Sequence, residues 1–168
     1  MVCRRAIFPG SFDPFTRGHE AVVAEALRIF DTVVIGIGGN ISKRGLLQPE
    51  QRAALIRDLY AGQPRVEVKI YSSLTGDFAR ECGAGVIVRG VRTGYDIEYE
   101  QNMASVNRRL YPDLTTVILC TPSEVSHISS SVVRELLEFG HGVEDLLPEG
   151  ININDYMPSR GCAGGGNK

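Results

Sequence analysis

Arg4-Arg5-Ala6-Ile7-Phe8-Pro9-Gly10-Ser11-Phe12-Asp13-Pro14-Phe15-Thr16-Arg17-Gly18-His19 holds the first instance of the unit from which the chain is built. Arg4 to Phe8 is a short apolar run, and a segment broken by Pro9, Gly10 and Pro14 follows it. Val22, Ala26 and Phe30 with Val23 and Leu27 then recur at three- and four-residue spacing, the period of a half-buried helix. Strand, loop and helix therefore follow in that order, with His19 in the helix's opening turn. Free backbone N–H groups and the positive end of the helix dipole make such a place a natural phosphate site. Gly18 is expected to let a phosphate approach the backbone. A histidine there donates hydrogen bonds to phosphate oxygens, while the dipole opposes its protonation.

The same unit repeats. Thr32 to Ile37, Val66 to Ile70, Val86 to Val88 and Thr116 to Cys120 are β-branched runs, apolar on successive residues, which implies burial on both faces. Helix-period segments lie between them: Leu55 and Leu59 after Pro49, a short one from Thr75 as cap to Cys82, Met103 to Leu110 after Thr93 and Asp96, and Val132 to Leu137. The alternation predicts an α/β chain, a Rossmann-like single domain whose five-stranded parallel sheet carries helices on both faces. Ligands of such sheets bind beyond the carboxyl ends of the strands, where strand order reverses.

Composition narrows the function classes. The 168 residues are 43% hydrophobic and 23% charged, enough for a sizeable core and incompatible with wholesale disorder. Eighteen Lys and Arg against 20 Asp and Glu leave a net charge of -2, so no global basic field draws in nucleic acid or an anionic membrane. An anionic substrate must be met locally. Cys3, Cys82, Cys120 and Cys162 form no Cys-x-x-Cys pair and read as reduced, partly buried side chains. The N-terminal run stops at Pro9 and Gly10 before a signal-peptide core forms, which points to the cytoplasm. The Gly-rich segment 159–168 is expected to be disordered, and His141, between Gly140 and Gly142, reads as a helix C-cap feature.

Thr16-Arg17-Gly18-His19, preceded by Ser11-Phe12-Asp13-Pro14, resembles the Thr/His-x-Gly-His signature of the α/β nucleotidyltransferase superfamily. Four further segments resemble the bacterial phosphopantetheine adenylyltransferases: Ser42-Lys43-Arg44, Val88-Arg89-Gly90-Val91-Arg92, Asp96-Ile97-Glu98-Tyr99-Glu100 with Met103 and Asn107-Arg108, and Ile128-Ser129-Ser130-Ser131-Val132-Val133-Arg134. The resemblance spans roughly residues 4 to 148. It implies a nucleotidyltransferase domain over 1–158 that transfers an adenylyl group from ATP to 4'-phosphopantetheine, giving 3'-dephospho-coenzyme A and pyrophosphate. It also implies a homohexamer and feedback binding of coenzyme A.

The resemblance further assigns residues. His19, Lys43, Arg89 and Ser11 are implied as catalytic: His19 on the α-phosphate, Lys43 and Arg89 as acceptor-side cations, and Ser11 supplying the hydroxyl that a threonine supplies in many relatives. ATP is implied to meet Ser11, Phe12, His19, Gly90, Val91, Arg92, Glu100, Val125, Ser126, His127, Ile128, Ser129, Ser130 and Ser131. The acceptor is implied to meet Ser11, Lys43, Thr75, Arg89 and Asn107. Magnesium is expected on the ATP phosphates, with no dedicated protein cage. Thr75 and Val125 stand where relatives carry bulkier residues, and His127 beside Val125 also reads as a strand-end surface residue. Two other readings stay open: a nucleotidyltransferase with another acceptor or donor, such as a mononucleotide or CTP, and a non-catalytic nucleotide sensor. Keeping His19, Lys43, Arg89 and Arg92 together argues against the sensor.

Overall fold

The computed structural model describes residues 4–39 and 45–157, and among them strands and helices alternate. In order they are β1 (Arg5–Gly10), α1 (Arg17–Ile29), β2 (Thr32–Gly38), α2 (Pro49–Leu59), β3 (Val66–Tyr71), α3 (Thr75–Glu81), β4 (Val86–Val91), α4 (Gly94–Leu110), β5 (Thr115–Cys120) and α5 (Ser130–Glu138). The strands form one parallel sheet in the order β3-β2-β1-β4-β5. This is the expected Rossmann-like α/β domain. The segments containing Lys43 and residues 158–168 lie outside the described residues, and with them the expectation of a disordered tail.

Successive apolar residues serve opposite cores. Ala6, Phe8, Val33, Ile35, Ile37 and Val88 pack with α1, α2 and α5, whereas Ile7, Val34 and Ile87 pack with Phe78, Ala79, Tyr111 and Leu114 on the other face. That is why the strand runs read as continuous rather than alternating.

The sheet's construction opens the site. Strand order reverses between β1 and β4, and these two pair only through Ala6↔Val86 and Ile7↔Ile87. Beyond that point they part, while β1 stays paired with β2 to Gly10 and β4 with β5 to Val91. Arg89 and Gly90 therefore belong to β4 itself and do not follow it, a correction to the shorter strand read from the sequence.

Helix ends follow the local chemistry. At α4 the Thr93 Oγ1 accepts the Asp96 N–H at 3.3 Å, the expected cap. At α3 the cap is Leu74, not Thr75; Thr75 is the first helical residue and its hydroxyl turns to Tyr71 Oη at 3.3 Å. Helix α5 ends on Gly140 at φ 76, with the His141 N–H donating to the Leu136 carbonyl at 2.8 Å, which closes the C-terminus where the glycines predicted it. No helix among the described residues is long and apolar enough to cross a membrane.

Candidate active site

The opening turn of α1 settles the chemistry of His19. Thr16 is the N-cap and His19 the third helical residue, the place a Glu takes in a capping box. The Thr16 backbone N–H donates to His19 Nδ1 at 3.0 Å, and Thr16 Oγ1 lies 2.9 Å from the same nitrogen. A backbone N–H only donates, so Nδ1 is the acceptor and the ring proton sits on Nε2. Phe12 meets the ring edge-on at 5.1 Å and Phe15 lies 5.3 Å away. Burial first, then the positive charges of Arg92 and Arg89, push the His19 pKa down to about 4. At neutral pH His19 is a neutral donor aimed by its own helix cap.

Arg89 fills the split in the sheet. Its Nη1 donates to the Pro9 carbonyl at 2.6 Å, a group that β4 no longer covers, while Nε and Nη2 donate to the two Glu100 carboxylate oxygens at 2.7 and 2.6 Å. Three of the five guanidinium N–H groups are used and two remain for a ligand. Arg92, at the end of the same strand, is exposed and shares Asp96 Oδ2 between its backbone N–H at 2.9 Å and its Nε at 3.3 Å.

The three serines divide their work. Ser129 Oγ accepts the Val132 N–H at 3.2 Å and Ser131 Oγ accepts from Arg134 Nη2 at 3.2 Å, so both hydroxyl protons stay free to donate. Ser130 instead donates its proton to the Pro14 carbonyl at 2.8 Å. Around Ser130 and Ser131 the unpaired N–H groups of α5's first turn add further donors. Phosphate oxygens suit such an edge.

Two cavities meet here. One of about 360 Å³ is lined by Ser11, His19, Arg89, Gly90, Arg92, Glu100, Ile128 and the three serines, together with Thr16, Asp96, Tyr99, Thr121 and Arg134. A second of about 440 Å³ runs over the carboxyl ends of β2 and β3, along Gly38, Gly39, Tyr71 and the segment from Ser72 to Thr75. Ser11 and Arg89 stand in both walls. A smaller one of about 200 Å³, lined by Thr75, Arg89, Met103 and Asn107, adjoins them under α4.

Some expected residues stand elsewhere. Phe12 is buried beneath His19, Val91 is buried in β4, and Val125, Ser126 and His127 do not line the 360 Å³ cavity; His127 is exposed and Ser126 Oγ bonds back to the Ser123 carbonyl at 3.0 Å. Gly90 and Gly18 both line the 360 Å³ cavity and also let protein pack close behind them. A Cβ on Gly90 would lie 2.6 Å from Val22 Cγ2, and one on Gly18 would lie 3.3 Å from the Ile128 carbonyl oxygen. Arg134, which lines the cavity and donates through Nη1 to the Asp13 carbonyl at 2.6 Å, was not singled out, although its place one helical turn after Ser130 was a usable signal.

Residues 7–136 match the cytidylyltransferase-like family model. The phosphopantetheine adenylyltransferase of Phocaeicola vulgatus is 52% identical over 151 residues, covering 90% of this chain and 99% of that one. That of Rubrobacter xylanophilus is 44% identical over 146 residues, covering 87% and 89%. In structure the chain resembles a nicotinate-nucleotide adenylyltransferase from Vibrio parahaemolyticus, with a TM-score of 0.67 over 92% of this chain and 91% of that one at 18% identity, a likeness of fold. With a sheet split at β1 and β4, a capped His19 in the wall of the first cavity and this level of identity over nearly its whole length, the chain belongs to the phosphopantetheine adenylyltransferase family within the cytidylyltransferase-like nucleotidyltransferases.

Proposed function

We propose that this chain transfers the adenylyl group of ATP to 4'-phosphopantetheine, giving 3'-dephospho-coenzyme A and pyrophosphate. The observation that carries the reading is the pair of cavities whose walls share Ser11 and Arg89, since a transfer between two bound substrates needs its reacting atoms at such a junction. A phosphate monoester oxygen attacks the α-phosphorus in line while pyrophosphate leaves on the far side. The nucleophile is already ionised, so no general base is required and catalysis rests on position and charge. The neutral His19 donates its Nε2–H to an α-phosphoryl oxygen. Arg92, Ser129, Ser131 and the start of α5 hold the leaving pyrophosphate. Ser11 and the two spare N–H groups of Arg89 meet the acceptor phosphate, and Lys43, outside the described residues, joins them by family resemblance.

Glu100 neutralises Arg89 within the site, so Arg89 works chiefly as a directed donor. Glu100 then acts on the acceptor side through Arg89 and on the ATP side as part of the cavity wall. Magnesium fits as an ion carried by phosphate oxygens and water. The cavity carboxylates Asp96 and Glu100 are engaged by Arg92 and Arg89, and no group of three or more His, Cys, Asp or Glu among the described residues is arranged to hold a metal. When bound it neutralises the triphosphate.

A homohexamer, a cytoplasmic location and feedback binding of coenzyme A complete the proposal. Support for assembly comes from α4, whose Tyr99, Met103, Val106 and Leu110 stay exposed while Glu100 alone among its residues is buried. Pyrophosphate release with ATP and magnesium, measured against 4'-phosphopantetheine, nicotinate mononucleotide and nicotinamide mononucleotide, and with CTP replacing ATP, tests the reading. Release confined to ATP with 4'-phosphopantetheine supports it, and preference for another pair overturns it.

A further inference from the structure

Phe12 is the one residue other than glycine with a positive φ among the described residues, at 49, in the middle of the loop that carries Ser11 toward His19. A bulky side chain holds that conformation only where its surroundings fix it. Two fixings are visible. The ring is enclosed by Phe8 at 5.2 Å, Phe15 at 5.5 Å and His19, and a Cβ on Gly10 would come 2.7 Å from its Cζ. The flanking backbone is held by a buried ion pair outside the cavities. Arg52 on α2 is 9% exposed and Asp13 6%, with Arg52 Nε 3.4 Å from Asp13 Oδ1.

Every group around this pair is oriented. Arg52 Nη1 donates to the Ser11 carbonyl at 3.1 Å, just before the strained residue, and Nε to the Leu47 carbonyl at 2.7 Å. Asp13, just after it, accepts the Leu46 N–H at 2.9 Å and the Leu47 N–H at 2.8 Å. A Cβ on Gly45 would lie 2.3 Å from Arg52 Nη2 and 2.5 Å from Asp13 Oδ2, so the chain entering α2 closes tightly over the pair.

We infer that Arg52 and Asp13 are positioning residues for the transfer: together they hold Phe12 in its left-handed conformation, and Phe12 in turn sets the Ser11 hydroxyl against the acceptor phosphate and the His19 ring against the α-phosphoryl group. The inference rests on the adenylyl transfer proposed above. Neither residue faces the substrates, so their loss acts on geometry, and a displacement of about 1 Å at a reacting centre costs up to about 100-fold.

The test compares the full chain with its Arg52→Lys, Asp13→Asn and Arg52→Ala variants, with thermal midpoints measured alongside. In the two conservative variants kcat is expected to fall about tenfold or more while the KM for ATP moves by less than about threefold. Arg52→Ala is expected to regain part of its kcat with millimolar guanidinium ion and none with urea, because the ion alone replaces a charged planar donor. Nitrogen-15 signals of the His19 ring, read without turnover, are expected to shift in Arg52→Lys. Conservative variants with kcat within about twofold of the parent, equal effects of guanidinium and urea, or unmoved His19 signals overturn the inference. If both conservative variants fail to fold, the pair is structural and the inference also falls. A parent protein that does not turn over 4'-phosphopantetheine sinks the earlier reading alone, leaving the His19 signals to decide this one.

Discussion

The guanidinium of Arg89 on β4 grips both carboxylate oxygens of Glu100 on α4, at 2.7 and 2.6 Å, at the mouth of the split sheet. The pair is bidentate, and Glu100 is nearly buried. Removing one partner leaves the other without its planar match. Glu100→Gln should lower kcat/KM for the acceptor about tenfold or more, and Arg89→Lys should do at least as much, because a point charge cannot serve Pro9 and both oxygens at once. Steady-state kinetics with the acceptor varied at saturating ATP check both.

His19→Ala removes the donor to the charge that develops at the α-phosphorus. A fall in kcat of about 100- to 1,000-fold is expected, with a smaller change in the KM for ATP, as for the loss of one preorganised donor. Pyrophosphate release measures it.

The His19 pKa of about 4 gives a pH prediction with a definite sign. It lies below the ordinary value of 6.5, so between those limits the unfolded chain binds a proton that the native state refuses. His19 therefore withdraws stability as pH falls from 6.5 toward 4 and withdraws none above 6.5. Within the folded protein the ring stays neutral through that range, and nitrogen-15 shifts should report the Nε2–H tautomer down to near pH 5. Arg92→Gln removes one of the charges that depress the pKa and should move the midpoint upward.

Gly90→Ala tests why that glycine is there. The added methyl meets Val22 Cγ2 at 2.6 Å, and Val22 is a stiff, buried residue of α1. Destabilisation of about 1–3 kcal/mol is expected, most of it relieved in the Gly90→Ala, Val22→Ala double variant. Denaturant unfolding checks it; a full loss of activity with unchanged stability would point back to phosphate approach.

Exposed apolar side chains on α4 predict self-association. Met103→Glu with Leu110→Glu should reduce the mass seen by sedimentation, whereas an unchanged mass would remove α4 from the interface.

How much of this was legible in the sequence follows from the range of each interaction. Strand and helix order depends on local periodicity, and the place of His19 in the opening turn of α1 on sixteen consecutive residues, so both could be read directly. The end of β4 could not, because its last residues are held by pairing with β5 across a long crossover. The tautomer of His19 follows from a cap three residues away, but its depressed pKa needs Arg89 and Arg92 folded over it. The motif marks Glu100 but not its hold on Arg89, since half of such a pair reads the same as a surface charge. Arg52 reads as one more helix-surface arginine until the chain closes over it.

Adenylyl transfer is read out by incubating the protein with ATP, magnesium and 4'-phosphopantetheine and quantifying 3'-dephospho-coenzyme A and pyrophosphate together by chromatography. Equimolar appearance of the two products, abolished in His19→Ala, is the predicted result. Absence of 3'-dephospho-coenzyme A from the folded, ATP-binding protein would contradict it.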